Sequence, residues 1–77
     1  MSDSTHRLVY MANQIALNFA TLGEAAAVAA TADHLQRFWD PGMKAKIFKC
    51  LDTSGSGLSA TAAAAIRSLP GWARTGS

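Results

Sequence analysis

Leu22-Gly23-Glu24-Ala25-Ala26-Ala27-Val28 decides the fold. A glycine stands between two stretches of helical pattern, and positive φ at a helix C′ position costs glycine little. Behind it, Leu8, Met11, Ala12, Ile15, Phe19 and Leu22 recur at spacings of three and four. At 100° per residue they form one apolar stripe, which predicts a helix over 5–22 with Ser4 as its N-cap. Ahead of it, Ala25, Val28, Ala32, Leu35 and Trp39 form a second stripe, flanked by Thr31 and Phe38, which predicts a helix over 24–39. A link of two or three residues makes the pair an antiparallel hairpin.

Asp40-Pro41 then starts a new element. Proline disfavours helical geometry in the residue before it and suits the first helical position, while Asp40 supplies a capping carboxylate. A third helix is expected over 41–51, with Met43, Ile47, Cys50 and Leu51 inward and Lys44, Lys46 and Lys49 outward. Asp52-Thr53-Ser54-Gly55-Ser56-Gly57 reads as a flexible loop. Its alternating oxygens suggest a calcium loop, but Ser59 and Ala63 occupy the eighth and twelfth places, where an apolar residue and a bidentate glutamate are needed, so calcium is rejected. Ser59 caps a fourth, alanine-rich helix through Leu69, with Leu58 available as a hydrophobic staple. The expectation is an all-α domain of three to four helices spanning 1–77, with an ordered core over about 5–69 and a tail over 70–77.

Composition narrows the function. Of 77 residues, 49% are apolar, but 16 of them are alanine, which buries little area. A core this lean favours completion against a partner. One cysteine, Cys50, forms no internal disulfide. Asn18, Gly23 and Glu24 interrupt the best apolar run, so no membrane span is expected, and residues 1–5 lack a signal-peptide pattern. The cytoplasm is therefore the expected location, with no membrane partner. Residues 1–40 carry a net −2 and residues 41–77 a net +4. Dispersed cations are a poor nucleic-acid footprint, and no nucleic-acid partner is expected.

Catalytic constellations are not evident. His6, His34 and Cys50 lack carboxylate or histidine neighbours at metal-ligand spacing, and Gly55-Ser56-Gly57 lacks the Lys-Ser/Thr pair of a phosphate loop. Tyr10 and Leu17 lie on the back of the first helix, as scattered exposed residues or as a second contact face. Trp72 in the tail is either frayed or an interface anchor.

Leu8-Val9-Tyr10-Met11-Ala12-Asn13-Gln14-Ile15-Ala16 and Ala32-Asp33-His34-Leu35-Gln36-Arg37-Phe38-Trp39-Asp40-Pro41-Gly42-Met43 go further. They resemble the delta subunit of the cytoplasmic NAD-dependent (molybdenum/tungsten) formate dehydrogenases. That family resembles Leu-Val-x-Met-Ala-Asn-Gln-Ile-Ala near its start and His-x-x-x-Phe/Tyr-Trp-Asp/Glu-Pro-Arg-Met later. The likeness covers roughly residues 8–51, and Gly42 departs from it where the family carries arginine. If that arginine pairs with the partner, Lys44 is the available replacement.

The resemblance implies a non-catalytic accessory subunit that stabilises the large catalytic subunit or assists its assembly. Through that subunit it implies contact with the iron–sulfur and flavin subunits. The complex is expected to carry a molybdenum or tungsten pterin, iron–sulfur clusters, FMN and NAD, with no cofactor in this chain. Candidate partner-binding residues are Met11, Asn13 and Gln14 on the first helix, and His34, Arg37, Phe38, Trp39, Asp40, Pro41, Met43 and Lys44 around the second helical junction, with Trp72 in the tail. Asn13 and Gln14 could share one patch with the Phe38–Pro41 corner, and Trp39 reads equally as core. The competing readings are a transient maturation chaperone for the same enzyme, a small nucleic-acid-binding helical module and a free-standing homodimer.

Overall fold

The computed structural model describes residues 3–51 and 57–71, and every element among them is helical. Four α-helices run Asp3–Asn18 (α1), Glu24–Phe38 (α2), Pro41–Cys50 (α3) and Ala60–Arg67 (α4), with a 3-10 turn over Ala20–Leu22. The calcium-loop residues Asp52–Ser56 and the tail from Trp72 onward lie outside the described residues.

The first helix differs from the sequence expectation at both ends. It begins at Asp3, so Ser4 lies within the helix instead of capping it. It stops at Asn18, not at Leu22, because the bonding tightens. Phe19, Leu22 and Gly23 donate to the carbonyls of Ala16, Phe19 and Ala20, each three residues back. Such short bonds serve carbonyls that a helix end otherwise leaves unpaired. Gly23 has φ 98° and ψ 158°, a glycine-only region distinct from the left-handed C′ geometry anticipated. The chain thereby turns directly into α2.

Asp40 caps α3 as the sequence predicts: its Oδ1 accepts from the Met43 N–H at 2.8 Å, with Pro41 at the first helical position. Trp39 and Asp40 are both extended, so α2 ends at Phe38. Ser59 likewise caps α4, its hydroxyl oxygen accepting from the Ala62 N–H at 3.2 Å. That helix ends at Arg67, short of Leu69, where the chain again switches to bonds spanning three residues.

The core comprises Leu8, Val9, Ala12 and Ala16 of α1, Leu35 and the following Trp39, Ile47, Phe48 and Cys50 of α3, and Ala62, Ile66 and Leu69. Leu35, Ile47 and Ile66 are fully buried, each contributing about 1.5–3 kcal/mol by transfer. α2 packs most extensively on α4, and its buried row Ala27-Thr31-Leu35 advances by one turn at each step. α2 buries the small Ala27 and α4 buries Ala62 and Ala65, side chains small enough for close helix approach.

On α1 the buried face is rotated by about 60° from the predicted stripe, toward Val9 and Ala16. Leu22 is exposed instead of inward, and Met11 and Ile15 are half-buried at the core edge. Ala25 and Phe38 are also exposed, contrary to their places in or beside the second predicted stripe. On α3, Phe48 joins the core unanticipated, while Met43 and Leu51 sit at its margin.

Candidate interaction surface

Phe38 and Trp39 are neighbours in sequence and opposites in place. Phe38, in the last position of α2, is 69% exposed, whereas Trp39, already extended, turns back into the core at 5%. The half-buried His34, one turn earlier, lies against Phe38 with ring centroids 4.8 Å apart. Arg37 and Asp33 form an exposed ion pair at 3.2 Å, a geometry worth little in water.

The α2–α3 corner is braced from α3. Lys44 Nζ donates to the Gln36 carbonyl at 3.1 Å and to its Oε1 at 3.3 Å. The ammonium thus meets the negative end of α2, where a cation is favoured. Lys44 is half-buried by this contact, in place of the free outward position expected, whereas Lys46 and Lys49 are exposed. Asp40 and Pro41 are exposed at the corner, and Met43 is half-buried behind them. A Cβ on Gly42 would lie 3.4 Å from Asp40 Oδ1, an ordinary contact.

Asn13 is occupied within the chain. Its Nδ2 donates to the Gly57 carbonyl at 2.8 Å, and its Oδ1 accepts from the Ser59 N–H at 2.9 Å. One side-chain amide therefore pairs through both its polar atoms with the backbone of the segment leading into α4. Gly57 has positive φ, and Val9 packs beside it. Gln14, one residue on, is exposed and donates to the Tyr10 hydroxyl at 3.2 Å.

Tyr10 and Leu17 stand 63% and 66% exposed on the outer side of α1. Beside Leu17 a groove of about 320 Å³ opens between the end of α1 and the start of α4, lined mainly by apolar atoms of Ala16, Leu17 and Ala20, with Asn13, Ser59 and Thr61. Thr61 Oγ1 in turn donates to Glu24 Oε1 at 3.2 Å, tying α4 to the first turn of α2.

Cys50 is buried on α3, its thiol directed to the Lys46 carbonyl at 3.7 Å, and burial pushes its pKa up. A thiol so placed is poorly reactive. Among the described residues, no group of three or more His, Cys, Asp or Glu is placed to hold a metal ion. Nor is any helix among them long and apolar enough to cross a membrane. Trp72 lies outside the described residues.

A four-helix chain with exposed aromatic and aliphatic side chains on its first hairpin has the form of a small interaction module. Residues 7–66 match the model of the family described as NADH-dependent formate dehydrogenase delta subunit FdsD, and the chain belongs to that family. No curated protein and no solved structure matches it.

The sequence reading missed two features of this surface. The exposure of Phe38 depends on α2 ending one residue before Trp39, and the Asn13 clasp joins positions 44 and 46 residues apart. For the first, Asp40-Pro41 signals only that Asp40 leaves the helix; that Trp39 leaves it as well has no local mark. The second left no local trace.

Proposed function

We propose that this chain is a non-catalytic accessory subunit of a cytoplasmic NAD-dependent formate dehydrogenase, binding and stabilising its large catalytic subunit or assisting its assembly. The family match over residues 7–66 carries the proposal. The exposed Phe38, held beside His34 at a braced corner, supports it, because aromatic side chains are enriched where partners bury surface. In this reading Gln14, His34, Arg37, Phe38, Asp40 and Pro41 contribute to the contact directly. Met11, Asn13, Trp39, Met43 and Lys44 shape the surface that presents them, and Trp72 adds an anchor.

Formate oxidation and NAD⁺ reduction belong, on this proposal, to the other subunits, which carry the molybdenum or tungsten pterin, the iron–sulfur clusters and FMN. The donor set of this chain does not fit a cluster: one cysteine, with its thiol buried, offers no set of thiolates.

Affinity purification of the chain, tagged at its N-terminus, followed by size exclusion and a formate-dependent NAD⁺ reduction assay, tests the proposal. Co-elution with activity in fixed ratio is expected. A chain found only outside the active enzyme contradicts a permanent subunit and points to a transient maturation factor.

A further inference from the structure

We infer that the outer face of α1, from Tyr10 through Leu17 to the groove beside α4, is covered by an uncharged segment of the large catalytic subunit. That segment inserts one apolar side chain, of the leucine, methionine or phenylalanine kind, into the groove. This rests on the accessory-subunit reading and specifies which face the partner covers and with what chemistry.

Charge limits what covers this face. From Leu8 to Gly23 the chain has no Asp, Glu, Lys, Arg or His, with Arg7 before that run and Glu24 after it. Much of the run is nonetheless exposed, including Tyr10, Gln14, Leu17, Asn18, Thr21 and Leu22. A helix side turned permanently to water normally carries charged side chains, whereas the centre of an interface is depleted of them and enriched in aromatics. Tyr10 and Leu17 stand two turns apart on one side of α1, and Gln14 between them holds the tyrosine hydroxyl. A charged group laid against this row would shed its water without meeting an opposite charge, so the complementary surface is uncharged as well.

The groove selects an apolar guest. Its walls come mainly from Ala16, Leu17 and Ala20, and about 320 Å³ leaves room for one side chain. The polar groups around it are already engaged within the chain. Asn13 spends both ends of its amide on Gly57 and Ser59, the Ser59 hydroxyl oxygen caps α4, and the Thr61 hydroxyl donates to Glu24. The carbonyls of Ala16 and Ala20 accept from the N–H groups of Phe19 and Gly23. A polar guest would give up water for groups that already have partners, whereas an apolar one removes Leu17 and the alanine methyls from water. Asp52-Thr53-Ser54-Gly55-Ser56 has no apolar side chain to offer. Trp72 follows Gly71, which lies beyond the end of α4 opposite to Ser59 and Thr61, next to Phe48. The guest therefore comes from another chain.

The test uses formate dehydrogenase purified without this chain, to which the full-length chain is added back. Leu17→Asp and Leu17→Lys should each weaken binding by at least about tenfold, because a charge of either sign is stranded in an uncharged contact. Ala20→Leu, which fills the groove from within, should weaken it to a similar extent. Leu17 and Ala20 are both exposed, so the variants should fold, which circular dichroism checks. A photo-crosslinking residue at position 17 should capture the large catalytic subunit. Weakening by one sign of charge with strengthening by the other reveals a charged partner and overturns the inference. So does capture, from position 17, of any other subunit, of a second copy of this chain or of its own tail. Tight binding that none of the substitutions alters overturns this inference and leaves the accessory-subunit reading standing. Failure of the unaltered chain to bind overturns both.

Discussion

At the scale of single residues, Gly23 and Thr31 carry the sharpest consequences. Gly23 holds φ 98° and ψ 158°, and a Cβ there would meet nothing within 4 Å. The penalty for any other residue is therefore backbone strain and not collision. Gly23→Ala should cost about 1–3 kcal/mol, read as a lower urea midpoint with an unchanged slope. A midpoint equal to that of the unaltered chain would show that the hairpin turn is not so constrained. Thr31 presents the opposite case. It is fully buried on α2, and its hydroxyl has no hydrogen-bond partner among the described residues. A buried unsatisfied hydroxyl costs about 1–3 kcal/mol, and valine keeps the branched shape without it. Thr31→Val should raise the melting temperature by about 4–8 °C for each kcal/mol gained. A drop on substitution would mean that the hydroxyl has a partner after all.

At the scale of elements, the helix starts were legible and the faces less so. Asp40 and Ser59 are caps because their side chains reach backbone N–H groups three residues on, a wholly local matter. Asp40→Ala should cost about 0.5–2 kcal/mol, whereas Gly42→Ala, in the same first turn and with room for the Cβ, should recover up to about 1 kcal/mol. Chemical denaturation of the two variants separates the effects. The buried face of α1 is not the one its apolar stripe marks: it includes the side from which Asn13 engages Gly57 and Ser59, far along the chain. Val9 and Ala16 lie on the same side of α1 as Asn13 and are buried, while Leu22 falls beyond the end of the helix and is exposed. Likewise, nothing local distinguishes Phe38 from Trp39 as the inward aromatic; the extended pair before Pro41 decides it. Asn13→Leu should loosen α4, visible as faster amide exchange over 60–67 than over α2. Uniform exchange across both helices would instead place the clasp outside the stability of α4.

At the scale of the molecule, the chain joins a lean core to a surface with unsatisfied apolar groups. Alanine supplies much of the buried interior, notably Ala12, Ala16, Ala27, Ala62 and Ala65, while Tyr10, Leu17, Leu22 and Phe38 remain outside. All four exposed side chains belong to the first helical hairpin and its turn, and the cations of α3 and α4 mark the other half. Such a division suits a protein that gains stability by association, since a partner binding only the folded state adds to it by mass action. Adding formate dehydrogenase that lacks this chain should therefore raise the unfolding temperature of the chain in a concentration-dependent way. An unfolding temperature indifferent to the enzyme would contradict that expectation.

Native mass spectrometry of the purified formate dehydrogenase complex tests the central claim most directly. The account predicts a fixed increment of 8.1 kDa per copy of the large catalytic subunit, lost together with binding when the chain is removed. A fully assembled, active enzyme whose mass leaves no place for this chain would contradict it.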